Sequence, residues 1–290
     1  MQEFLHQVAS GLAAGGIYAS LAIALVLIYR TTSSVNFAQG ELAMFSSYMA
    51  WFLVQRGLAY WVAFTAVVLG SFVLGMIVQR TLLEPLRERP HLSIIAVSVG
   101  LLIVVNSIAG ALFGYDLKDI ATPFGPSFAF AQPYLSPHQC GVLAVTLAEL
   151  AGTYAFFRYT RFGLAMRAVA VNPRSAQLAG IRIESVLVLS WGLAAAAGGV
   201  AGMLAAPIVL LEPSMMMSPL VYALAGALLG GIANPWGAAA GAFAVGVMEN
   251  LLGAYVVGDE LKLTCMMVLI ISGLVLWPAG LFGRRSVTRA

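Results

Sequence analysis

ASGLAAGGIYASLAIALVLIY, residues 9–29, runs for 21 positions without one charged side chain. As a helix rising 1.5 Å per residue it reaches about 31 Å, the thickness of a bilayer's hydrocarbon core. The rest of the chain repeats this pattern. Of its 290 residues, 61% are hydrophobic and only 9% are charged, against roughly 25% charged in ordinary soluble domains. A soluble fold would leave most of that apolar surface uncovered. The expected fold class is all-α: a polytopic transmembrane helical bundle, one domain over residues 1–290.

Reading outward from charge to charge gives further spans at 58–78, 92–113, 139–157, 186–211, 236–257 and 263–282. Two apolar stretches, 42–54 and 220–233, fall short of the usual length and are flanked by polar or Pro/Gly punctuation; they read as short tilted spans or halves of broken helices. About nine membrane segments are expected, within a range of eight to ten. Lysine and arginine placement orients them, because basic residues beside short loops stay on the cytoplasmic side. With nine crossings, Arg30, Arg80, Arg87, Arg89, Arg158, Arg161, Arg167, Arg174, Arg182, Arg284, Arg285 and Arg289 share one side, and only Arg56, Lys118 and Lys262 lie opposite. The amino terminus is then outside and the carboxyl terminus inside. The first residues hold Glu3 and His6 but no Lys or Arg, which does not fit a cleavable secretory signal.

Several chemistries are excluded. There is no G-x-x-x-x-G-K-[ST] loop, and neither lysine, Lys118 or Lys262, lies in a Gly-rich stretch, so the chain has no P-loop for ATP. H-E-x-x-H and G-x-S-x-G are missing, and three scattered histidines make no metal site. No catalytic residue, metal or cofactor is expected in this chain. The net charge of +3 belongs to the loops, and no basic patch is interleaved with aromatics as nucleic-acid binding requires. Lipid is the expected surrounding. Cys140 and Cys265, near the outer ends of spans, are expected to remain unpaired.

Polar residues inside spans are fewer and carry more information. Mid-bilayer carboxylates cost about 2.5–3.5 kcal/mol on insertion scales, so Glu149 should face protein or water. It reads either as a residue bonded to a neighbouring helix or as part of a pathway, and Glu249 with Asn250 poses the same alternatives. TTSSVNFAQGELAMF, residues 31–45, is denser. Asn36, Phe37, Gln39 and Glu41 stand at the start of a short membrane helix, as an interfacial cap or as irregular backbone lining a cavity. Glycines four apart, such as Gly198 with Gly202 and Gly226 with Gly230, allow close helix packing or smooth sliding surfaces.

The largest polar island is RYTRFGLAMRAVAVNPRSAQLAGIRIES, residues 158–185, with five arginines. Asn172 followed by Pro173 predicts an N-cap and first helical position, one or two turns then running to Ala179, with Gly180 as the stop. Upstream, 161–171 predicts a helix resting Leu164, Ala168 and Val171 on the protein and keeping Arg167 and Arg174 wet.

Together these residues carry a resemblance. GLAMRAVAVNPRSAQLAGI, the NFAQGE box at 36–41, the opening GLAAGGIYASLAIALVLIY and the later LLGGIANPWGAAAG resemble the permease subunit of branched-chain amino-acid ABC importers, along nearly the whole chain. The resemblance implies a multi-pass protein of the cell's inner membrane that moves leucine, isoleucine and valine, or related small amino acids, by alternating access. It implies a related second permease, separate P-loop ATPase subunits carrying ATP and Mg, and an extracytoplasmic substrate-binding protein. The loop 158–185, with Arg167, Asn172, Pro173, Arg174, Ala176, Gly180 and Ile181, would be the coupling loop received by the ATPase. Asn36, Phe37, Gln39, Glu41, Glu149, Glu249 and Asn250 are candidates for the translocation path. A urea or amide permease of the same family, and an ion-coupled secondary transporter using Glu149 and Glu249, stand as alternatives.

Overall fold

The computed structural model describes residues 2–87, 89–125, 134–276 and 280–282; Arg284, Arg285 and Arg289 lie outside them. In chain order the helices are α1 (Gln2–Thr32), α2 (Gln39–Gln55), α3 (Tyr60–Val78), α4 (His91–Phe113), α5 (Pro137–Tyr159), α6 (Arg161–Val171), α7 (Pro173–Leu178), α8 (Ile183–Val209), α9 (Met217–Gly230), α10 (Pro235–Leu252) and α11 (Gly258–Leu276). Among the described residues there is no strand, only an isolated antiparallel bridge between Lys118 and Leu211. A nearly all-helical chain follows from the solvent: where no water can pair a backbone N–H or C=O, each segment must satisfy its own. Among the described residues six helices are long and apolar enough to cross a membrane: Gln2–Thr32, Tyr60–Leu86, Leu92–Phe113, Pro137–Tyr159, Ile183–Val209 and Pro235–Val257.

α1 is the axis of the bundle. Its residues from Ile17 to Ile28 are all buried, and it runs antiparallel to α10, with Gly11 against Val247 and Gly15 against Phe243. Lipid tails are as apolar as these side chains, so nothing is gained by hiding apolar area from them; close backbone packing holds such helices together. α9 and α10 meet in the same way, and a Cβ added at Gly230 would overlap the carbonyl of Gly237. Gly230→Val should therefore sharply lower the amount of folded protein in the membrane, read as loss of the monodisperse peak in detergent chromatography. An unchanged peak would contradict this crossing.

α3 and α8 are antiparallel: Tyr60, at the start of α3, donates to the Met203 carbonyl at 3.4 Å, and Gly75, near its end, lies on the Trp191 carbonyl. α2 and α8 are parallel, Gln39 and Ala43 lying against Gly198 and Gly202 in step. α2 thus begins beside Ala194, eleven residues into α8. α9 starts at the same level, because the Cβ position of Gly40 is 3.3 Å from the Met216 carbonyl oxygen and 3.2 Å from Leu220. Two short helices therefore have their amino ends side by side, level with the middle of the long helix α8.

Candidate functional site

The polar loop folds as a cap-bounded helix pair. Thr160 accepts from the Gly163 N–H at 3.0 Å and starts α6. Asn172 accepts from the Ser175 N–H at 3.0 Å and starts α7, with Pro173 in the first turn, where a missing N–H costs nothing. Gly180 has φ +84°. Its N–H donates to Gln177 and the Ile181 N–H to Ala176, both at 3.0 Å, the paired closure that a left-handed residue after a helix permits. Ala176 is buried, whereas Asn172, Pro173, Arg174 and Gly180 are exposed.

α6 rests on the protein through Gly163, Met166 and Val169, with Ala168 half-buried against the core as expected, but not through Leu164 and Val171. Leu164 is 61% exposed and Val171 is 85% exposed. A glycine is what lets this face approach, because a Cβ at Gly163 would meet the Phe156 carbonyl and the Phe157 backbone. Nor is Arg167 wet: it is half-buried, its Nε enclosed without a hydrogen-bond partner. Leu178, beyond it on α7, is 88% exposed. The loop thus presents apolar side chains and arginines outward together.

The box at 36–41 is interior. Asn36 and Gln39 are fully buried. The Asn36 Oδ1 accepts from the Ala38 N–H at 3.1 Å, and its Nδ2 donates to Gln39 Oε1 at 3.3 Å. Gln39 Nε2 donates to the Ala194 carbonyl of α8 at 2.8 Å. Glu41 Oε2 accepts from Asn106 Nδ2 at 3.1 Å, and the same Asn106 amide donates to the Pro213 carbonyl at 2.7 Å. Phe37 is half-buried. The amino end of α2 carries no side-chain cap, so the interfacial-cap reading of this segment gives way to irregular backbone tied by its own amides.

Three more candidates lie apart from the box. Glu149 accepts from Ser20 at 2.6 Å through Oε2, while its enclosed Oε1 has no partner; it lines a cavity of about 230 Å³ with Val68, Gly152, Phe157, Leu193 and Ala197. Glu249 accepts from Tyr18 at 2.8 Å and pairs with Lys262 Nζ at 3.3 Å. Asn250 is half-buried and donates to both the backbone and the side chain of Gln7, at 2.8 and 2.9 Å. The sequence reading missed Ser20, Asn106, Gln7 and Lys262 as partners. Asn106 alone carried a local signal, an amide inside a strongly apolar run.

Comparison with known proteins gives the chain's family and a fold likeness. A solved structure described as PsaBC from Streptococcus pneumoniae in complex with Fab superposes with a TM-score of 0.50 at 10% identity, covering 91% of this chain and 90% of that one; this likeness is one of fold. The high-affinity branched-chain amino acid transport system permease protein LivH of Escherichia coli K12 is 28% identical over 99% of this chain and 97% of its own length. BraD of Pseudomonas aeruginosa, described in the same words, is 29% identical over 99% and 98%. The family described as branched-chain amino acid transport system / permease component matches residues 7–276, and the chain belongs to that family.

Proposed function

We propose that this chain is the permease subunit of an ATP-driven importer that carries leucine, isoleucine and valine across the inner membrane by alternating access. Its relatives LivH and BraD, aligned from end to end, are named as permease proteins of high-affinity branched-chain amino acid transport systems. ATP and Mg belong to separate ATPase subunits, the chain itself is non-catalytic, and a second permease with an extracytoplasmic binding protein completes the machine. The observation that carries the coupling assignment is α7: a helix closed at both ends by its own caps and holding Leu178 out to solvent. A loop that only set topology would need no such caps. Arg167, Asn172, Pro173, Arg174, Ala176, Gly180 and Ile181 build this helix and its base, and it is the surface a motor would push.

Within a single-domain reading of nine crossings with the amino terminus outside, helix directions support α2 and α9 as two of the crossings. Arg30, at the end of α1, lies over the Phe157 ring at the end of α5, so both end on the side of the 158–185 loop. α3 runs opposite to α8, which leaves that side, so α2 must take the chain across. α10 runs opposite to α1 and therefore starts on that side, so α9 must return the chain to it. The ion-coupled alternative finds little support, since the Glu249 carboxylate is already held by Tyr18 and Lys262. The test is ATP-dependent leucine uptake by the reconstituted transporter. Isoleucine and valine should compete and urea and short amides should not; competition by urea alone would overturn the cargo.

A further inference from the structure

We infer that the box at 36–41 is a transmission joint: Gln39 fastens the start of α2 to the middle of α8, so that the two helices move as one body during transport. The inference rests on the ATP-driven reading above and adds the route by which motion at the loop reaches the interior. α8 leaves the loop directly at Ile183, and a helix is stiff along its axis. Eleven residues on, the Ala194 carbonyl receives the Gln39 amide at 2.8 Å.

The surroundings are built for this contact. A Cβ at Gly198 would strike the Gln39 amide nitrogen, so the glycine is what opens α8 to the side chain. Asn36 holds the other end of the same amide, Nδ2 to Oε1 at 3.3 Å, which fixes its orientation. One turn further, Gly202 lets α8 lie on the Ala43 carbonyl, and Ser46 bonds Ser71 of α3 at 2.7 Å. A buried amide satisfied at both ends is costly to break, so α8, α2 and α3 form one block. On its other side α2 touches the start of α9 at Gly40, through Leu220 and the Met216 carbonyl. Apart from the Asn106 amide, which bridges Glu41 to the Pro213 carbonyl ahead of α9, the contacts named there are van der Waals in kind, and no direct side-chain hydrogen bond like that of Gln39 ties α2 to α9. Asn36 and Gln39 act as positioning residues in this account, not as part of the path.

The test uses the full transporter, with ATPase and binding protein, and the ratio of ATP hydrolysed to leucine moved. Gln39→Ala should leave hydrolysis near the unsubstituted level and lower uptake per ATP by about tenfold, within the range of ordinary coupling energies. The Cβ of Ala43 lies 3.7 Å from the Cβ position of Gly198, which suits a disulfide. In a background lacking Cys140 and Cys265, Gln39→Ala with Ala43→Cys and Gly198→Cys should regain coupling when oxidised and lose it when reduced. Normal coupling in Gln39→Ala, or uptake abolished by oxidation and restored by reduction, would overturn the joint.

A second measurement spares Gln39. Spin labels at Met49 of α2 and Val209 of α8, both partly exposed, should keep their separation between nucleotide-free and ATP-trapped states. A change of about 5 Å, one helical turn, would overturn the joint by itself. If the unsubstituted complex shows no ATP-driven uptake, the importer reading fails instead, and the two failures are distinct.

Discussion

Gly180→Pro should leave the permease inserted and assembled and yet reduce uptake at least about tenfold, with ATP hydrolysis no longer tied to transport. Gly180 sits at φ +84° and donates its N–H to Gln177. Proline supplies neither, since its ring fixes φ near −65° and removes the donor. It also bars the preceding Ala179 from its φ −80°, ψ 7° conformation. The closure of α7 is lost, while a Cβ at Gly180 meets nothing within 4 Å, so the effect stays within the loop's own backbone. A graded series separates the loop's shape from its mere presence. Gly180→Asn, which tolerates left-handed backbone, should transport nearly normally, and Gly180→Ala, penalised by about 1–2 kcal/mol, should fall between. Arg167→Glu, which reverses the charge at the base of the loop, should uncouple in the same direction. Equal uptake across the series would remove α7 from the mechanism. Uptake is measured in vesicles beside hydrolysis by the same complex.

The second large effect lies between α10 and α11. Lys262→Met should destabilise the protein by about 3–5 kcal/mol, because it strands the Glu249 carboxylate without its ammonium. The two side chains are only 20% and 10% exposed. Glu249→Gln combined with Lys262→Met should recover most of the loss. The neutral amide oxygen can still accept from Tyr18, which donates to the carboxylate at 2.8 Å, and no buried charge remains. Thermal unfolding of the single and double variants checks this. Strictly additive losses would show that the pair contributes only packing, and uptake abolished by the double variant at full stability would restore Glu249 as a candidate for the path.

The sequence made α1, α8 and the two caps of α7 legible, each for a local reason. Charge-free length marks a span, and Asn-Pro followed by a glycine marks a short capped helix whatever surrounds it. The same Asn-Pro signature recurs at Asn234 and Pro235, where Asn234 accepts from the Trp236 N–H at 3.2 Å and opens α10. The two short segments were recognised as irregular from their length. Their meeting at Gly40 was not, since it depends on how far the segment after α8 turns back. The buried face of α6 was misassigned for a related reason: apolar spacing selects Leu164 and Val171, but the close approach at Gly163 decides which side packs. Interior partners such as Gln39 with Ala194 join residues 155 positions apart, and no local pattern encodes them.

Cross-linking tests whether a separate motor grips α7. With cysteine placed at Leu178, the most exposed apolar side chain of the loop at 88%, a short bifunctional reagent in the assembled transporter should capture the ATPase subunit, with a yield that changes when ATP is trapped. Capture of the extracytoplasmic binding protein, or no protein adduct at all while the complex imports leucine, would contradict the account.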